Sequence, residues 1–281
     1  MATALAGMMA PTANAARLPI NKAVLGSMLP KDLPNWKAKF EVAKAAGFTH
    51  LEMNTADDPK EEAEIAKAAS EVGLKIHGVM NSAHWKNPLN SADPSVVEAG
   101  MTGMRTSIRN AQAWGASTVL LVPAVVSPTA PYQEAWTKST AKIRELLPVA
   151  EKAKVTIAVE NVWNKFLLSP LEMAQYVDSF KNPYLKAYLD VGNMVLFGFP
   201  QDWIRTLGKQ RIAKVHIKDF RFRQGKTEFV DLWEGDIDWK AVHAAFTEIG
   251  YQGVATVELR GGDQAYLTDV AKRFDRILLG E

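Results

Sequence analysis

The chain has no cysteine in its 281 residues. Disulfides and thiolate chemistry are thereby excluded, and any bound metal must be held by His, Asp or Glu. No apolar run reaches the length of a membrane-spanning helix. Neither charge dominates: 33 basic against 31 acidic residues leave a formal net charge of +2. Such a balance offers no electrostatic footprint for nucleic acid or an anionic membrane. No GxGxxG or Walker A pattern follows any predicted strand, so the common phosphate-cradling loops are missing. No linker or low-complexity tract interrupts the chain after residue 20. What is present is ordinary globular composition, 47% hydrophobic and 23% charged, at a length that suits two small domains or one large α/β barrel.

The opening MATALAGMMAPTANAARLPI is treated apart. Ala4–Ala10 is short and apolar, and Ala13-Asn14-Ala15 has the small-x-small form of a signal cleavage site, but a basic n-region does not precede it. Residues 1–18 are therefore expected to be a flexible or signal-like segment, with the fold occupying 19–281. The location is cytoplasmic, or exported if that segment is the remnant of a signal.

From there short apolar runs alternate with amphipathic stretches. The runs are KAVLGSM (22–28), THLEMN (49–54), KIHGVMN (75–81), STVLLVPA (117–124), TIAVEN (156–161), KAYLDVGN (186–193), AKVHIKD (213–219) and ATVELRG (255–261). Between them lie helical patterns such as PNWKAKFEVAKAAG and PKEEAEIAKAASEVG, which end on Gly47 and Gly73 as helix C-termini often do. Connections this long permit parallel crossovers, and eight strand–helix units match the size of a closed (β/α)8 TIM barrel. A doubly wound open sheet is the competing architecture.

The last four runs share an oddity. Each carries a polar ligand-type residue where the strand should end: Glu160, Asp190, His216 and Glu258. In a (β/α)8 barrel the chemistry sits at that end of the strands, and consecutive strands are neighbours. Three carboxylates brought together at a core edge would suffer desolvation and mutual repulsion. One divalent cation removes both costs. An oxygen-rich set with one imidazole suits Mn²⁺, Co²⁺ or Mg²⁺, with Zn²⁺ also compatible.

VENVW, LDVGN, VHIKD and VELRG, in that order, resemble the xylose-isomerase-like TIM barrels of the sugar isomerase and epimerase superfamily. The similarity is greatest to ketose 3-epimerases of the D-tagatose and L-ribulose-5-phosphate types, whose SAH loop SAHW (82–85) also resembles. The resemblance covers nearly all of residues 20–280. It implies a metal-dependent isomerase or epimerase acting on a small sugar, and subunits that associate. It further implies that Glu160 and Glu258 are both metal ligands and the acid/base pair, with Asp190 and His216 as ligands only. Abstraction of a proton next to a carbonyl then passes through a metal-stabilised cis-enediolate.

Three positions depart from that family's pattern. Asn193 stands where a histidine is usual, Phe166 where an acid is usual, and Phe222 where an arginine is usual. These point to a different substrate, such as a phosphorylated, oxidised or glycosidic sugar. Candidate substrate residues are His84, Trp85, Asn161, Trp163, Asn193, Lys218, Arg221, Arg223 and Arg260. The arginines suit a phosphate or carboxylate, whereas His77, His50 and His243 read as structural. Competing functions are aldose–ketose isomerisation, metal-assisted lyase or deglycosylase chemistry on a 3-keto-sugar, and, ranked last, a non-catalytic sugar-binding barrel. The superfamily's endonucleases need more histidines than the five found here and a cationic track for DNA.

Overall fold

The computed structural model describes residues 16–281. The strands are β1 (Ile20–Leu25), β2 (His50–Asn54), β3 (Lys75–Met80), β4 (Thr118–Leu121), β5 (Thr156–Glu160), β6 (Leu185–Asp190) and β7 (Ile212–Ile217). They continue with β8 (Asp219–Arg223), β9 (Lys226–Val230) and β10 (Gly253–Val257). All but β8 and β9 form one closed barrel, in the order β1-β2-β3-β4-β5-β6-β7-β10 and back to β1. Every barrel pairing is parallel.

The helices are α1 (Trp36–Ala45), α2 (Pro59–Val72), α3 (Pro94–Trp114), α4 (Tyr132–Ala153), α5 (Pro170–Ser179), α6 (Pro200–Arg211), α7 (Trp239–Ile249) and α8 (Gln264–Leu279). Each buries one stripe. In α8 the buried residues are Leu267, Val270, Ala271, Phe274, Ile277 and Leu278, a spacing that keeps one helical face inward. Asn35, Asp58, Asp93, Ser169, Asp238 and Asp263 cap the amino ends, each accepting a first-turn backbone N–H. The two expected glycine stops take φ values of +98° at Gly47 and +76° at Gly73, which L-residues adopt only at a cost.

The (β/α)8 expectation therefore describes the architecture. None of the helices described is long and apolar enough to cross a membrane. Two differences are instructive. Leu18 is buried and its N–H donates to Leu278 O, while Arg17 pairs with Asp275, so the docked chain begins before residue 19. The signal-like residues 1–15 lie outside the described residues. The second difference is the antiparallel β8–β9 hairpin, which follows β7 directly. Its turn residues Gln224 and Gly225 both have positive φ, 53° and 76°, as a tight hairpin turn requires.

Candidate metal centre

β5 and β6 end on Glu160 and Asp190, His216 is the penultimate residue of β7, and Glu258 follows β10 by one residue. Because these four strands are adjacent, the four side chains meet: one ligand atom from each lies within 4.8 Å of every other. His216 Nδ1 is 3.0 Å from Glu160 Oε1, 3.1 Å from Glu258 Oε2 and 3.7 Å from Asp190 Oδ2. Asp190 Oδ1 accepts the backbone N–H groups of Gly192 and Asn193, both at 2.8 Å. Its Oδ2 is buried without a hydrogen bond. Lys218 Nζ lies 3.0 Å from that oxygen, an ion-pair contact that lacks hydrogen-bond alignment, and donates to Glu258 Oε2 at 2.7 Å.

The local sequence explains how Asp190 is held. Asn161 Nδ2 donates to Asp190 O and Asn161 Oδ1 accepts from Asp190 N, both at 2.9 Å, so the carboxamide extends the β5–β6 ladder by one step. Asn193 Nδ2 returns a bond to Asn161 O, and Asn193 O accepts from Trp163 Nε1, each at 2.8 Å. Asn161 and Asn193 thus brace the ligand end of the barrel.

Without a cation the cluster is electrostatically uneven. Burial, offset by His216 and reinforced by Glu258 and Asp190, pushes Glu160 up to about 7. Burial also raises Asp190, against the pull of Lys218. For Glu258 burial is outweighed by His216 and Lys218, which hold it well below the ordinary carboxylate range. His216 is held well above an ordinary imidazole, since the surrounding carboxylates outweigh its burial. An imidazole and an ammonium thus face a space shaped by three carboxylates. Those donors fit a hard divalent ion: three oxygen ligands, one nitrogen, and an orphaned Asp190 oxygen facing the others.

The other expected residues spread around this centre. His84 is buried, its Nδ1 accepting from Val122 N at 3.3 Å, and burial lowers it to about 4. Trp85 packs edge-on to it and is 53% exposed. Trp163 meets Phe220 edge-on and Phe229 at a tilt, which packs the β8–β9 hairpin against the loop after β5. A cavity of about 550 Å³ beside the cluster is lined by Lys218, Arg221, Glu258 and Arg260, among others. Arg221 pairs with Glu228 at 2.6 Å, and Arg260 pairs with Asp231 at 3.3 Å over the Tyr266 ring. Arg223 is not part of that lining. Phe166 is buried against Tyr132, Trp136 and Tyr176, so it faces the helix layer. His77 Nε2 lies 2.8 Å from Thr256 Oγ1 inside the barrel, His50 contacts Thr49, and His243 contacts Ala16 O.

One residue of the site escaped the sequence reading. Glu52, in the middle of β2, is fully buried, and its Oε2 lies 3.1 Å from His216 Nε2. The available signal was a carboxylate set between Leu51 and Met53 within a strand.

A pattern describing the xylose isomerase-like TIM barrel family matches residues 40–275, and the chain belongs to that family. L-ribulose-5-phosphate 3-epimerase UlaE of Escherichia coli O1:K1 is 27% identical over 238 residues, covering 80% of this chain and 82% of that protein. Among solved structures, a D-tagatose 3-epimerase-like protein superposes with a TM-score of 0.79 at 18% identity, covering 92% of this chain and 98% of the other. An L-ribulose 3-epimerase superposes with a TM-score of 0.77 at 20% identity, covering 94% and 95%. At those identities the two structures attest the fold.

Proposed function

We propose that this protein is a divalent-metal-dependent sugar epimerase or isomerase, acting on a ketose or its phosphate by moving a proton at the carbon beside the carbonyl. The observation that carries the reading is the convergence of Glu160, Asp190, His216 and Glu258 on one point at the carboxyl end of the barrel strands. Membership in the family and the sugar 3-epimerase named among the curated relatives support the choice of chemistry.

These four residues would hold a divalent ion such as Mn²⁺, which would supply Lewis-acid stabilisation of the negative charge that develops on substrate oxygen. Asp190 and His216 serve as ligands only: one is fixed by backbone N–H groups, the other is enclosed within the barrel. Glu160 and Glu258 hold and move the proton. One carboxylate takes it from carbon and becomes a carboxylic acid, and the other group, already protonated, delivers its own proton to carbon and becomes a carboxylate. Return to the same carbon from the other side inverts the centre, and return to its neighbour interconverts ketose and aldose. Lys218, 2.7 Å from Glu258, keeps that carboxylate ionised and ready to accept a proton. Arg221 and Arg260, on the cavity wall, offer guanidinium groups to an anionic substituent of the sugar. His84, Trp85 and Trp163 frame the sugar face.

The test is solvent exchange. Metal-depleted protein reloaded with Mn²⁺ and incubated in D₂O with free and phosphorylated ketoses should place deuterium on carbon adjacent to the carbonyl. Metal-loaded protein that exchanges no carbon-bound proton in any of them would overturn the proposal.

A further inference from the structure

Both ring nitrogens of His216 face carboxylates, and the two sides have different chemistry. Nδ1 looks toward Glu160, Asp190 and Glu258. Nε2 looks the other way, to Glu52 Oε2 at 3.1 Å. Glu52 reaches His216 across the interior from β2, a strand that is not its neighbour. The same oxygen accepts from Tyr188 Oη of β6 at 2.6 Å, which fixes the carboxylate in place, and the Tyr188 ring packs against the His216 ring with centroids 4.4 Å apart. The β2–β3 register slips between Leu51 and Glu52, an irregularity of the kind that re-aims a side chain beside a functional site. Burial of a carboxylate at zero exposure is costly unless partners use it.

We propose that Glu52 is a positioning residue for the metal centre: it accepts the Nε2 proton of His216, which leaves the Nδ1 lone pair directed at the ion. Imidazole can ligate only through an unprotonated nitrogen, and a hydrogen bond from the opposite nitrogen fixes the tautomer, sets the ring plane and raises ligand basicity. Glu52 touches no reacting atom; it acts through His216. This inference rests on the metal site of the proposed function and adds to it a fifth residue, placed on the opposite side of the barrel from the other four.

Mn²⁺ binding to the metal-depleted, full-length protein provides the test, followed by electron paramagnetic resonance of the free ion so that weak sites are measured. E52Q, which keeps the shape and an acceptor but loses the charge, should weaken binding about tenfold, and E52L about a hundredfold. Y188F removes one bond that holds Glu52 but leaves its carboxylate and the ring against His216, so its loss should be clearly smaller than that of E52L. A double-mutant cycle separates positioning from general packing. If Glu52 acts through His216, E52L should cost little further affinity in an H216A background. Losses that simply add, or a Y188F defect as large as that of E52L, would overturn the positioning role. So would wild-type affinity in both Glu52 variants, which would leave the metal site itself intact. Failure of the wild-type protein to bind Mn²⁺ would overturn this inference together with the proposed function.

Discussion

Lys218 Nζ sits 2.7 Å from Glu258 Oε2 and 3.0 Å from Asp190 Oδ2, so an ammonium group bridges two of the four converging side chains. In the absence of a divalent ion it is the cation these carboxylates share with His216. Its removal leaves negative charges with less compensation. Breaking a fully buried pair costs about 3–5 kcal/mol. Glu258 is 29% exposed, so solvent screening reduces the expected loss for metal-free K218M to roughly 2–3 kcal/mol. Mn²⁺ should then raise the melting temperature of K218M by more than that of wild type, because the ion replaces the missing charge. Equal metal-induced shifts in calorimetry would show that Lys218 does not balance the cluster.

In the proposed reaction Glu160 and Glu258 are the acid/base pair. E160Q and E258Q keep side-chain volume while removing the basic oxygen, and each should lower the rate of carbon-proton exchange by about 10²–10⁴-fold. Circular dichroism and melting should show a folded barrel in both. A variant that exchanges at the wild-type rate does not lack its acid/base group.

His77 makes stability depend on pH from inside the barrel. Burial holds it down at about 3 against the attraction of Glu52, while the unfolded chain titrates near 6.5. Between those values the unfolded state binds a proton that the folded state does not. Stability therefore falls as pH drops through that window, by at most about 1.4 kcal/mol per pH unit from this group. Urea unfolding of metal-free protein at pH 7, 6 and 5 should show the decline, and H77Q, which can still bond Thr256, should flatten it. An unchanged slope in H77Q assigns the effect elsewhere.

The hairpin depends on Asp219, whose Oδ2 accepts from Trp233 N, Gly235 N and Trp239 Nε1 at 2.9, 3.1 and 3.2 Å. Gly235 approaches so closely that a Cβ there would run into the Asp219 carboxylate and the Phe220 carbonyl. G235A should destabilise the protein by about 1–3 kcal/mol through forced displacement of backbone. Hydrogen exchange should quicken in β8 and β9 while the barrel strands stay protected. Uniform protection across both would place the hairpin's anchor elsewhere.

The barrel was legible because its signal is local and repeated. An apolar run of strand length, then an amphipathic stretch closed by glycine, recurs along the chain, and connections of that length favour parallel closure. The candidate ligand set was legible for a related reason: Glu160, Asp190, His216 and Glu258 each interrupt an apolar run at its carboxyl end, and the barrel's geometry brings such ends together. The hairpin had a signal too, in the alternation FRFRQGKTEFV around a Gln-Gly turn, but its charged residues set it apart from the apolar runs that mark the barrel strands.

Sequence alone determined the scaffold and which side chains crown its last strands, since periodicity and strand ends are properties of neighbouring residues. Only the tertiary structure decided what those side chains touch. Asn161 and Asn193 turned inward to brace Asp190, Phe166 went to the helix layer, and Glu52 crossed the interior to His216. The physical reason is closure: a contact across a barrel joins residues far apart in the chain, here 164 positions between Glu52 and His216. No local pattern encodes such a contact, which exists only once the strands have gone round.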